Sequence, residues 1–157
     1  MNGVHYLKAL RLLIWATLVL MAFATVFDLR DSDWMSIQSE ERFRWISGFA
    51  LWALILFQWC LSLGRLVYRA KGSKWDDWVE IHQNVAMALP LALLIHSIQF
   101  GYGMLAILPL ALLFALLFGW YLTTSDSPRK WLTWHVLLSA ITLGCSVVHL
   151  WRVVFYS

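Results

Sequence analysis

His82 and His96 stand 14 residues apart in one uncharged stretch of the chain, and His135 and His149 stand 14 apart in another. An α-helix turns about 100° per residue, so 14 residues make nearly four turns, with about 40° left over and a rise of about 21 Å. Both members of each pair then share one helix face, near opposite surfaces of a membrane. Two such helices side by side would set one pair of imidazoles near each surface.

The stretches that carry these histidines are membrane-spanning in character. The chain is 61% hydrophobic and 13% charged, with a mean hydropathy of +0.68, well outside the range of soluble domains. Residues 45–64 and 131–151 are uncharged and each long enough to cross once, and the 45 uncharged residues 81–125 are long enough to cross twice. Residues 12–27 are shorter, but Lys8 and Arg11 can snorkel and let a helix begin earlier. That first run has a basic start and Ala24 near its end, as a signal peptide would, but it is longer than the usual apolar region of one. The expected fold is an all-α integral membrane protein. It has a single domain of five spans, at about 8–27, 45–68, 74–100, 104–123 and 128–155. The second to fifth spans form a four-helix bundle, with the first as an extra helix.

Residues 28–44 hold five acidic and three basic residues and read as a polar loop with a short surface helix. Gly101-Tyr102-Gly103 is a tight hairpin; its match to a dinucleotide fingerprint through Ala106 lacks the strand that such a motif needs. Ser73 with Asp76 reads as a capping box, and Ser127 before Pro128 as an N-cap followed by proline at the first helical position. Counted from those caps, His82 is 9 residues in and His135 is 8, so the two imidazoles come to nearly one level. With five spans the chain ends lie on opposite sides. One side collects Lys8, Arg11, Arg65, Arg69, Lys71, Lys74, Arg129 and Lys130, and the other collects Arg30, Arg42, Arg44 and Arg152. The positive-inside rule makes the first side cytoplasmic, which places the carboxy terminus outside, in what reads as a bacterial inner membrane.

A lone histidine in a span ordinarily packs, hydrogen-bonds or relays protons. Four at matched depths on two parallel helices suit two non-covalent b haems, each iron held by two neutral imidazoles with no vacant position, which serves electron transfer. Structural zinc wants four ligands around one ion, whereas these couples lie about 21 Å apart. A proton relay would more often include carboxylates, and none lies inside a span. Cys60 and Cys145 lack any metal or haem-attachment spacing and read as packing residues. Arg152, one turn after His149, is a candidate contact for the propionates of the outer haem, and equally an interfacial anchor. Gly48 and Ser62, also 14 apart, would let flat macrocycles approach the second helix, although membrane helices favour small residues in any case. Pro90, midway between His82 and His96, is expected to bend its helix. His5 lies outside the expected spans and is unassigned.

Paired histidines 14 apart on two helices with one helix between them resemble the di-haem core of cytochrome b in quinol-oxidising complexes. They are also similar to the membrane domain of the ferric reductase and NADPH oxidase superfamily, where the third and fifth helices carry such pairs, as here. The resemblance covers residues 45–155 and implies that His82 and His135 hold an inner haem, and His96 and His149 an outer one. Relatives of the second kind usually add a sixth helix and often a cytoplasmic flavin and nicotinamide module, and the quinone-pocket motifs of the first kind are not evident. The expectation is therefore a small electron-carrying subunit in contact with membrane lipid. Its donor would be a separate flavoprotein or iron–sulfur protein and its acceptor a separate protein or quinone, and no nucleic-acid partner is expected. Two other readings stand beside it. One is an oxidoreductase that meets quinone, oxygen, superoxide or ferric iron at a haem edge. The other is a non-haem transporter or assembly subunit.

Overall fold

Hydrocarbon offers no hydrogen bonds, so a chain made largely of apolar runs must close its backbone bonds within helices. The computed structural model describes residues 3–27, 33–68, 73–100, 103–124, 126 and 128–156, and among the described residues every regular element is an α-helix. In order they are α1 (Gly3–Val26), α2 (Asp33–Ser39), α3 (Glu41–Tyr68), α4 (Ser73–His96), α5 (Met104–Thr124) and α6 (Pro128–Tyr156). All but α2 are long and apolar enough to cross a membrane. The chain is an all-α membrane protein.

The helix ends differ from the sequence reading for local reasons. The second span starts at Glu41 instead of about 45, because the Glu40 carbonyl already accepts the Arg44 amide at 3.0 Å; charged residues are good helix formers outside the apolar core. The third span ends at His96 instead of about 100, and the cause lies in α2. The Gln38 amide Nε2 donates to the carbonyls of Leu94 (2.8 Å) and Ile95 (3.0 Å), two of the last-turn acceptors that a helix leaves unmet. Ser97 closes the Leu93 carbonyl at 2.8 Å, and the chain then leaves the helix. α4 and α6 open at Ser73 and Pro128, where the caps were expected. Ser127, Arg69, Lys71, Gly101 and Tyr102 lie outside the described residues, as do the side chains of His5, Trp34, Arg65, Ser73, Lys74, Trp75 and Asp76. Gly103 has φ +59°, a conformation that glycine adopts without strain, and its carbonyl accepts the Ala106 and Ile107 amides that start α5.

By contacts the chain divides into two compact units, Arg30–Ser97 and Met1–Leu29 with Ile98–Ser157. In the first, α3 and α4 form an antiparallel pair: Gly64 meets the Trp78 ring, Gln58 bonds the His82 carbonyl and Ser47 meets the His96 ring. The buried stripe of α3 is Ser47, Leu51, Ile55, Gln58 and Leu61, and that of α4 is Ala86, Leu89, Pro90 and Leu93, both at helical spacing. Pro90 lies inside a continuous α4, where it removes the amide that would bond the Ala86 carbonyl.

In the second unit α5 packs on both α1 and α6. α1 turns Leu10, Ile14, Thr17, Met21 and Ala24 inward. Its end is held by Gln99, whose Nε2 donates to the Ala24 carbonyl at 3.0 Å, and by the Phe100 amide, which donates to the Thr25 hydroxyl at 3.0 Å.

Gln38 is 5% exposed, so its loss strands two carbonyls near the membrane surface. Gln38→Leu should cost about 1–3 kcal/mol, and Gln38→Glu, which cannot donate, should do no better. Thermal melting in detergent checks both; an unchanged melting point for Gln38→Leu would remove the clamp from the account.

Candidate functional site

The four histidines lie two on α4 and two on α6, and all four are half-buried. His82 and His96 belong to the first unit, and His135 and His149 to the second. Each helix turns one face to its pair. On α4 that face runs His82, Ala86, Leu89, Leu93 and His96, and on α6 it runs His135, Ser139, Thr142, Ser146 and His149, at alternating spacings of four and three. Thr142 and Ser146 are buried, and each satisfies its hydroxyl on its own helix, donating to the Leu138 and Leu143 carbonyls at 2.8 Å. The α6 face between its histidines is therefore small and internally hydrogen-bonded.

Two of the rings rest in notches of the neighbouring helix. A Cβ on Gly48 would meet the His96 Cε1 at 3.0 Å, and a Cβ on Gly119 would meet the His135 Cε1 and Nδ1 at 3.1 Å. The space beside Gly48, expected to admit a macrocycle, holds the His96 imidazole itself. Ser62, its expected companion, is exposed and donates to the Gln58 carbonyl of its own helix at 3.0 Å.

The bonds at these notches favour a donating Nδ1 in both rings. The His135 Nδ1 lies 2.7 Å from the Ala115 carbonyl, which can only accept, so Nδ1 carries the proton and donates. The His96 Nδ1 lies 3.1 Å from the Ser47 hydroxyl. That hydroxyl has one proton, and it is committed to the Phe43 carbonyl at 2.7 Å, so here too Nδ1–H is the donor. A neutral ring that donates from Nδ1 carries its lone pair on Nε2. This tautomer, with one nitrogen bonded to the protein and the other bearing the lone pair, is the usual state of a metal-ligating imidazole.

His82 is anchored differently. Gln58, 8% exposed, donates Nε2 to the His82 backbone carbonyl at 2.9 Å, and its Oε1 has no hydrogen-bond partner among the described residues. Arg152 is exposed one turn beyond His149. Among the described residues no three His, Cys, Asp or Glu side chains converge on one point as a metal site would need. Two imidazoles from the protein suffice for a haem iron, because the macrocycle supplies the rest.

Sequence reading missed Ser47, Gln58, Ala115, Gly119, Thr142 and Ser146. Gly119 and Ser47 are ordinary small residues of a membrane helix, and only the register of α5 on α6 and α3 on α4 gives them a ring to hold. The one readable signal is the face between His135 and His149, which Ser139, Thr142 and Ser146 fill at steps of four and three.

Gly119→Val should push the His135 ring off its carbonyl and destabilise the protein by about 1–3 kcal/mol. At Gly144 an added Cβ meets nothing within 4 Å, so Gly144→Ala should leave the melting temperature unchanged or raise it slightly. Equal losses at both positions would show that glycine acts there through the backbone and not as a notch. No family model matches the chain, and no curated protein or solved structure matches it.

Proposed function

We propose that the chain is a membrane cytochrome that passes electrons across the bilayer through two b haems, each held by a pair of imidazoles. The observation that carries the reading is the fixed Nδ1–H tautomer of His96 and His135, seated in glycine notches on helices whose histidines repeat at 14 residues. Proton-relay histidines need rings that can exchange tautomers; these two are held in one. On this reading His82 and His135 serve the inner haem, and His96 and His149 the outer, with Arg152 beside an outer propionate.

The haems would supply one-electron carriers, which have no part in hydride transfer. The residues of the chain do the rest. Ser47 and the Ala115 carbonyl orient two rings, Gln58 fixes the backbone at His82, and the apolar faces exclude water. The exposed cations Arg129 and Lys130, at the side read as cytoplasmic, would steer an acidic flavoprotein or iron–sulfur donor, with a rate that falls as salt rises. The membrane is then the bacterial inner membrane, with the amino terminus cytoplasmic.

Purified protein should show a low-spin b-type spectrum with two haems per chain, and replacing any of the four histidines with alanine should remove about one. His82→Ala and His135→Ala should abolish the same haem. A colourless protein overturns the reading, and loss of the same haem from His82→Ala and His149→Ala would overturn the pairing.

A further inference from the structure

The amino-terminal helix carries a feature that electron transfer does not use. A shallow, open depression of about 400 Å³ lies along α1, lined by Lys8, Arg11, Leu12 and Trp15. These residues fall at i, i+3, i+4 and i+7, so they share one face, and it lies opposite the buried stripe of Leu10, Ile14, Thr17 and Met21. The guanidinium of Arg11 stands 5.1 Å from the centroid of the Trp120 ring on α5, a cation–π contact that keeps the charge at the edge of this face. Neither α1 nor α5 contains a carboxylate, so no acidic side chain of these two helices neutralises Lys8 or Arg11.

Below the two cations the same face turns apolar. Leu12, Trp15, Val19 and Phe23 are 71%, 47%, 64% and 51% exposed. From Leu12 to Phe23 the helix rises about 17 Å. One leaflet of hydrocarbon is about 15 Å deep. Two cations above, an interfacial tryptophan, and an apolar track one leaflet long match the shape and charge of an anionic phospholipid.

We infer that Lys8, Arg11 and Trp15 form a binding site for the phosphate headgroup of an anionic membrane lipid, whose acyl chain lies along Leu12, Val19 and Phe23. Arg11 and Lys8 bind the phosphate oxygens, Trp120 holds Arg11 in place, and Trp15 marks the boundary between headgroup and chain. Arg129 and Lys130, exposed at the start of α6 in the same unit, add positive potential for the same anion.

The test is native mass spectrometry of the full chain in neutral detergent, titrated with phosphatidylglycerol or phosphatidylcholine. One phosphatidylglycerol should bind about thirtyfold tighter than phosphatidylcholine, as two interfacial cations at about 1 kcal/mol each would give. Lys8→Gln with Arg11→Gln should abolish that preference, and Trp120→Leu should weaken it. Millimolar inorganic phosphate should not displace the lipid. Equal binding of the two lipids, a preference that survives the double substitution, or displacement by free phosphate each overturns the assignment. The wild-type comparison decides even if a variant fails to fold. The readout is lipid mass and does not depend on haem content, so it stands or falls apart from the electron-transfer reading.

Discussion

A polar atom inside a membrane must find its partner in the protein, because the solvent offers none. That constraint places nearly every informative side chain of this molecule. Gln38 enters the end of α4 because Leu94 and Ile95 have carbonyls to satisfy; Gln99 does the same for the Ala24 carbonyl of α1, and the Phe100 amide finds the Thr25 hydroxyl. Thr142 and Ser146 can be buried only because their hydroxyls turn back onto their own helix. The His96 and His135 imidazoles follow the same rule, and in following it they acquire a defined tautomer. The bond that satisfies the ring also sets its tautomer: with Nδ1–H donating to the Ala115 carbonyl, a neutral His135 has its lone pair on Nε2.

This explains which parts of the molecule could be read from the chain. The spans were legible because they depend on the sum of apolar residues over about 20 positions, and such sums survive local detail. All five appear as helices, with ends displaced by a turn or more at Gly3, at Glu41 and at His96. The histidines were legible as a pattern because a helix converts spacing into direction without reference to anything else. Ser47, Gly48 and Gly119 were opaque as ring supports, because their meaning is a register between two helices. The small size of Gly48 is visible in the sequence, but that the His96 ring lies beside it is not. A notch is specific for whatever flat group the register brings to it.

The helices also differ in how much they are buried, in a way that fits their chemistry. Within its unit α5 is buried through Leu108, Ala111, Leu112, Leu113, Ala115, Leu116 and Leu117, leaves one face exposed along Ile107, Leu110 and Phe114, and carries no titratable group deep in the span. It serves as a frame: it offers α6 a carbonyl and a glycine, and it offers α1 a Trp120 ring for Arg11. An aromatic stack of Phe118, Trp131 and Tyr121, with centroids 5.4 and 4.8 Å apart, ties α5 to α6 beside the His135 notch. Such stacks add about 0.5–1.5 kcal/mol per pair beyond the area they bury. They hold the one register in which Gly119 faces His135.

The two fixed rings are not equivalent, and the difference has a direction. A backbone carbonyl at 2.7 Å withdraws the Nδ1 proton more strongly than a hydroxyl at 3.1 Å that has already donated its own proton to Phe43. His135 therefore has the stronger hydrogen-bond partner and His96 the weaker, and a stronger acceptor behind a metal-bound imidazole would favour the oxidised metal. On the proposed reading the level of His135 has the lower potential and the level of His96 the higher. Electrons then run downhill from the side read as cytoplasmic towards the outside. A redox titration should resolve two components, and Ser47→Ala, which removes the acceptor at His96, should raise the higher one and leave the lower one in place. If Ser47→Ala shifts the lower component instead, the assignment of levels, and the direction of flow with it, is reversed.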